Sequence, residues 1–325
     1  MKENKILVTG GGGFIGSHLV KKLVKLGKEV GVVDDFSRGS RNNLKSVIKK
    51  IKVYKKDLRN ESGLLKIFED YELVFNLAAL NTGVDYDEGR TQLMFEDNML
   101  LQMIPLRVSG KTKSVKKFIQ ISSASVYSRD AMENQIPTKE TANTANPEPS
   151  KLGYGLAKKM GENLAYWYAK NSNLHTCSAR FINVYGENDH FDNLGHFIPM
   201  MIRKVIEAKE KVDVFGSGKQ KRSFIYVEDA VSALINLAEK GKSGESYNID
   251  SEDEKTIKSV VKNICSFLER DISLNFDMNK PEGSKRRLLD SSKIRSLGWR
   301  PVTSFQDGLK RTVLDIEKRL KDNHY

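Results

Sequence analysis

Residues 5–27 read KILVTGGGGFIGSHLVKKLVKLG: an apolar run, a glycine cluster, then Ile15, Leu19, Val20, Leu23 and Leu26 at helical spacing. The pattern predicts a buried strand that turns sharply into an amphipathic helix with those five residues inward. Gly10, Gly13 and Gly16 fall in the turn. Glycines there permit a tight bend, let a pyrophosphate approach the backbone, and present the first helical amides, around Phe14 and Ile15, to its charge. An isolated glycine cluster would be only a flexible loop, so the flanking segments decide the reading.

Working outward, EVGVVDD is a second strand that ends in Asp34 and Asp35. A carboxylate at that end accepts hydrogen bonds from an adenosine ribose and repels a 2′-phosphate, which favours NAD over NADP. Arg38 and Arg41 stand nearby and could accommodate such a phosphate. KVYKKDL, a third strand, brings Asp57 and Leu58 to an adenine pocket, although Asp57 also reads as a helix N-cap. ELVFNLAAL is a fourth, and Leu77, Ala78 and Ala79 leave room for a dinucleotide at its end. A mostly apolar helix over about residues 91–109 carries Asn98, and Pro105 is expected to kink or end it.

KKFIQIS is a fifth strand that delivers Ser122 and Ser123 at its carboxyl end, the edge on which open α/β sheets bind ligands. Residues 128–150 then read as a long polar loop with Pro137, Pro147 and Pro149, of a length usually functional or mobile. It leads to YGLAK, where Tyr154 and Lys158 share one helix face. Holding a phenolate at neutral pH means lowering a pKa of ~10 by about three units, roughly 4 kcal/mol, which a neighbouring ammonium can help supply. HTCSARFINVYG is a sixth strand running out at Asn183.

Beyond it the segments GHFIPMMIRKVIEA, FGSGKQKRSFIYVEDA, ESYNID and SLGWRP suit a small mixed lobe rather than an extension of the sheet. The alternation predicts a doubly wound parallel α/β sheet of Rossmann type over residues 1–183, with return segments from about 222–245. A smaller mixed α/β substrate lobe takes up most of 184–325.

With 325 residues, 39% of them hydrophobic and 30% charged, the chain can bury a large core. It has no apolar run long enough for a membrane span, so a cytoplasmic protein is expected. Cys177 and Cys265 are far apart and lack ligand spacing, which predicts buried thiols and no metal site. The net charge of +12 comes from scattered lysines without interleaved aromatics. That argues against nucleic acid and for a solvated basic surface compatible with a polyanionic small substrate.

These residues resemble the extended short-chain dehydrogenase/reductase family, specifically its nucleotide-sugar epimerases and dehydratases. TGGGGFIGSHL, VVDD, NLAA, SSASVY, YGLAK, RFINVYGEND, GSGKQKRSFIYVEDA and LGWRP look like its motifs in order. The resemblance implies NAD as cofactor, a nucleotide-diphosphate sugar as substrate, and a homodimer pairing two helices per subunit. It implies that Tyr154 takes a proton from a sugar hydroxyl, Lys158 supports the phenolate, and Ser123 bonds the reacting oxygen. Asn183 and Arg222 would hold the nucleotide diphosphate, a bidentate task suited to guanidinium, and His196 and Arg286 would also bind the substrate.

Members that are 4,6-dehydratases carry an Asp-Glu pair after the serine or threonine, where this chain has Ala124 and Ser125. NTGVDY, YGLAKKMGE, NDHFDNLGHFIP and KPEGSKRRLLD look most like GDP-fucose synthases, and His196 matches their catalytic histidine. Their partner cysteine corresponds to Ser125, a far weaker base. The expected activity is inversion at C4 of a nucleotide-diphosphate sugar through a transient 4-keto sugar, with Ser125 and His196 as auxiliaries. The alternatives are a GDP-4-keto-6-deoxyhexose 3,5-epimerase/4-reductase, a 4,6-dehydratase, or a non-catalytic nucleotide-binding protein.

Overall fold

A computed structural model describes residues 1–81, 89–192, 195–280 and 283–322. Of the segment NTGVDY, only Asn81 lies within the described residues; Asn193, Leu194, Pro281 and Glu282 of the two later segments also lie outside them. Six strands follow the predicted order: β1 (Lys5–Thr9), β2 (Glu29–Asp34), β3 (Ile51–Lys55), β4 (Leu73–Asn76), β5 (Lys117–Ser123) and β6 (His175–Phe181). All pair in parallel, in the order β3-β2-β1-β4-β5-β6. Helices cover both faces, so the centre of β1, Ile6, Leu7 and Val8, is apolar on both sides. Ile6 and Val8 enter one core with Leu19 and Leu23, while Leu7 enters the other with Val74 and Phe118.

Between the strands lie α1 (Phe14–Lys25), α2 (Leu64–Phe68), α3 (Thr91–Lys111), α4 (Arg129–Asn134) and α5 (Leu152–Asn171). Leu26, placed inward by the sequence pattern, is the C-cap of α1 and 48% exposed. The helix ends one residue too early to turn it into the core. Pro105 neither ends nor interrupts α3, which continues to Lys111. Proline removes the N–H that the Leu101 carbonyl would have received, and Asn76 Nδ2 donates to that carbonyl at 3.1 Å instead. The 128–150 stretch is not structureless, since it contains α4 and is tied down by Thr138 N to Leu288 O (2.9 Å) and Glu148 N to Ser125 O (3.2 Å).

The C-terminal part contains β7 (Asn183–Tyr185), α6 (Phe197–Glu207), β8 (Lys211–Phe215), β9 (Lys221–Tyr226), α7 (Val227–Lys240) and β10 (Glu245–Ile249). Then follow β11 (Glu254–Thr256), α8 (Ile257–Phe267), β12 (Ser273–Asp277), β13 (Arg286–Arg287), α9 (Ser292–Ser296) and α10 (Phe305–Lys321). The ESYNI segment corrects the expectation that it belongs to the small lobe. As β10 it pairs in parallel with β6 and becomes the seventh strand of the main sheet. Tyr247 and Ile249 are buried there, and the preceding α7 packs against α1 as its crossover. The small lobe proper is built on β9, flanked by β7, β11 and β13, with β8 and β12 as a separate pair.

Cys177 and Cys265 are both buried and unbridged. No helix among the described residues is long and apolar enough to cross a membrane.

Candidate active site

The strand order reverses between β1 and β4, and in doubly wound sheets the crevice at that reversal receives the ligand. Here it opens into a cavity of about 230 Å³. Gly10 leaves β1 at φ 64°, and a Cβ there would lie 2.8 Å from Ala78 N at the end of β4. A Cβ on Gly16 would come within 2.1 Å of Gly10 O, so neither position admits a side chain. Gly13 caps α1 without any side chain, leaving the helix N-terminus with its partial positive charge on the cavity beside Phe14, Ile15 and Gly16.

Asp34 closes the β2 side. Its Oδ2 accepts from Gly12 N–H at 2.8 Å and its Oδ1 from Phe36 N–H at 2.7 Å. Phe36 adopts φ 60°, rare for an aromatic residue, and that turn brings its amide back to the carboxylate. Burial raises the Asp34 pKa, against the lowering effect of the two amides. Asp35, Asp57, Leu58, Leu77, Ala78 and Ala79 also line the cavity. Arg59 forks onto Asp57, with Nη2 to Oδ2 at 2.8 Å, and holds its carboxyl below the usual range. Arg38, a candidate partner for a 2′-phosphate, bonds Asp192 at 2.8 Å, while Arg41 lies over the Phe36 ring at 5.2 Å.

Tyr154 and Lys158, one turn apart on α5, form the far wall. Lys158 is wholly buried, with its Nζ 5.5 Å from the centre of the Tyr154 ring. It donates to Ile121 O at 2.7 Å and to Gln102 Oε1 at 3.3 Å. Burial pulls its pKa down to about 7, only partly opposed by Glu162. Glu162 is itself buried in a bidentate pair with Arg180, at 2.8 and 2.7 Å, and accepts from Ser122 Oγ at 2.5 Å. Arg180 also donates to Tyr127 OH at 2.8 Å. This network fastens α5 to β5 and β6.

His196, N-cap of α6, reaches the same cavity. Its Nδ1 lies 3.0 Å from Asp189 Oδ1, and its Nε2 lies 3.1 Å from Asn81 Nδ2. Asn81 Oδ1 accepts from Lys151 at 3.0 Å, which turns the Asn81 amide nitrogen toward the ring. The ring thus stands between a carboxylate at Nδ1 and an amide nitrogen at Nε2. The sequence reading missed Asp189 and Asn81. Only the position of Asp189, seven residues before His196, hinted at the pairing.

Six predicted residues stand apart from this cavity. Asn98 spends its amide on Leu80 N, Leu80 O and Met94 O, each at 2.9 Å, and so bears on the cavity through Leu80. Ser123 caps a short turn, with its Oγ 3.2 Å from that of Ser125. Asn183 and Arg222 line a second cavity, of about 280 Å³, in the small lobe. Arg286 is paired with Glu254 at 2.5 Å and borders neither cavity.

Cavities of this make-up are where dinucleotide-dependent enzymes of doubly wound fold hold their cofactor. The chain belongs to the NAD dependent epimerase/dehydratase family, which it matches over residues 6–250. It is 30% identical over 320 residues to a UDP-N-acetyl-alpha-D-glucosaminuronate decarboxylase of Bacillus cytotoxicus, covering 96% of this chain and 97% of the relative. It is likewise 30% identical over 327 residues to a GDP-L-fucose synthase of Sinorhizobium fredii, covering 98% and 97%. Among solved structures, the UDP-glucose 4-epimerase of Thermotoga maritima with UDP-glucose superimposes with a TM-score of 0.88 at 31% identity, covering 97% and 99%.

The chain is therefore an NAD-dependent sugar-nucleotide enzyme, and its own residues fit the cofactor. The bare helix N-terminus suits a pyrophosphate, and the buried Asp34 suits a ribose diol.

Proposed function

We propose that this enzyme inverts C4 of a nucleotide-diphosphate sugar through a transient 4-keto sugar. The observation that carries the reading is Tyr154 beside the buried Lys158, in one cavity with the α1 N-terminus and Asp34. Residues 1–183 would hold the cofactor and 184–325 mainly the nucleotide sugar. NAD, when bound, supplies reversible hydride acceptance at the sugar carbon. Tyr154 as phenolate removes the hydroxyl proton, and returns it when the carbonyl is reduced on its other face. Lys158, when protonated, stabilises the phenolate by charge, and Ser123 donates to the sugar oxygen. Ala124 and Ser125 offer no carboxyl group for dehydration.

The test is NMR of C4 inversion across UDP-, GDP-, CDP- and dTDP-sugars with the purified enzyme. Inversion without net NADH or NADPH consumption is expected, and obligatory consumption of NADPH would sink the redox-neutral reading.

The Asp189–His196 pair favours a second reading, a GDP-4-keto-6-deoxyhexose 3,5-epimerase/4-reductase. His196 reaches the cavity with Nδ1 against Asp189, and its Nε2, once released by Asn81, would move protons at carbons beside a ketone. Deuterium from solvent appearing at C3 or C5, and lost in His196→Ala, would establish that reading over the first.

The enzyme is further proposed to be a homodimer. Leu152, Met160 and Trp167 on α5 are 37%, 41% and 58% exposed, and they recur at helical spacing. A monomeric mass by light scattering would count against it.

A further inference from the structure

An ion pair beside the first cavity joins two distant parts of the chain. Arg38 lines that cavity together with Asp34, Asp35 and Gly39. The turn that carries Arg38 is fastened to the glycine loop, with Ser40 N and Asn43 Nδ2 both donating to Gly12 O at 2.9 Å. A Cβ on Gly39 would lie 2.8 Å from the Gly12 carbonyl carbon, so turn and loop are in close contact. Arg38 therefore starts from a fixed point near Asp34. Its guanidinium reaches Asp192, with Nη1 to Oδ2 at 2.8 Å and Nη2 to Oδ1 at 3.5 Å, across 154 positions of sequence.

Asp192 is anchored in turn. Its carbonyl accepts from Gly195 N at 2.9 Å, and the preceding Phe191 is buried with the Arg319 guanidinium 4.6 Å over its ring. Of the other arginine and lysine side chains lining the cavity, Arg59 is held by Asp57 and Asp97, Lys158 by Ile121 O, and Lys56 by Ser62 O at 3.1 Å. Arg38 is thus the guanidinium nearest in kind and place to the task of binding a phosphate beside Asp34. A guanidinium offers a phosphate the same fork that it offers a carboxylate, so one anion excludes the other. Asp192 also sets a negative charge within a screening length of any phosphate on Arg38. NAD carries a hydroxyl where NADP carries its 2′-phosphate, and only the phosphate competes for that fork. We propose that Asp192 is a determinant of cofactor choice, which withholds Arg38 from the 2′-phosphate and so disfavours NADP alongside Asp34.

The experiment is isothermal titration of the purified full chain, freed of co-purified cofactor, with NAD and NADP. The Asp192 side chain is 49% exposed, and Asp192→Asn keeps its shape, so the variant is expected to fold as the parent does. It should bind NADP about tenfold tighter than the parent and NAD within a factor of about two, with NAD still preferred because Asp34 remains. In the double variant Asp192→Asn with Arg38→Met the gain should vanish, since it needs the released guanidinium. A parent that binds NADP as tightly as NAD, an unchanged ratio in Asp192→Asn, or a gain that survives the loss of Arg38 and so belongs to Lys56 would each overturn the assignment. None of these results bears on which sugar carbon reacts, so the C4-inversion reading keeps its own test. Binding of neither dinucleotide by the parent would overturn the cavity as a cofactor site, and this inference with it.

Discussion

Lys158→Met is expected to abolish turnover and yet stabilise the folded chain, by an amount that shrinks as pH rises. Lys158 is wholly buried, and burial brings its pKa from 10.5 to about 7. Between those values the folded chain holds fewer protons here than the unfolded chain. Stability therefore rises with pH across that window, and the full penalty applies below it. At ~1.4 kcal/mol per pKa unit, the penalty is about 4 kcal/mol at pH 7 and about 2 kcal/mol at pH 9. Methionine matches the volume without the charge, but it abandons the bonds to Ile121 O and Gln102 Oε1, worth roughly 1 kcal/mol each. The variant should be more stable by about 2 kcal/mol at pH 7 and nearly equal to the parent at pH 9. Urea denaturation of both proteins at pH 7, 8 and 9 measures the difference directly, and common titrations cancel. A difference that stays constant over that range would refute the argument.

Tyr154→Phe should eliminate turnover while the protein still carries NAD, read by cofactor absorbance; near-normal activity would remove Tyr154 from its role. Gly16→Ala places a Cβ 2.1 Å from Gly10 O, so the glycine turn must open. NAD affinity is expected to fall at least about tenfold, measured by fluorescence titration. Arg180→Met leaves Glu162 charged and unpaired in the interior, at a cost of about 3–5 kcal/mol in thermal or urea melts. A loss below about 1 kcal/mol would mean that the pair is more solvated than its 5% and 4% side-chain exposures indicate.

The parallel sheet was legible because β1, β2 and β4 are buried on both faces and read as short apolar runs bounded by glycine, aspartate or small residues. β10 was harder. ESYNI is only five residues and mixes polar with apolar side chains, and its membership depends on pairing with β6, which no local pattern reveals. Pro105 misled because propensity describes the helix alone, whereas the compensating donor, Asn76, comes from β4. At the site, Gly10, Asp34, Tyr154 and Lys158 announced themselves by motif. Asp189 did not, because an aspartate in a turn has many ordinary uses, and its pairing with His196 exists only once the chain has folded. Arg286, expected from the resemblance to bind substrate, is taken by Glu254 across the lobe's own sheet.

The amide missing at Pro105 has an effect that reaches the reactive lysine. Asn76, turned nitrogen-first to the Leu101 carbonyl, also donates to Gln120 Oε1 at 3.4 Å. Gln120 must then offer its own nitrogen to Gln102, whose oxygen is the one that receives Lys158 Nζ. All three carboxamides are fully buried, so no water can reverse one of them. Each amide's orientation is thereby set by the one before it, and the last, Gln102, turns its oxygen to both Gln120 Nε2 and the ammonium. Beside burial and the charge of Glu162, the lysine thus meets a carboxamide oxygen whose orientation traces back to a ring without an N–H.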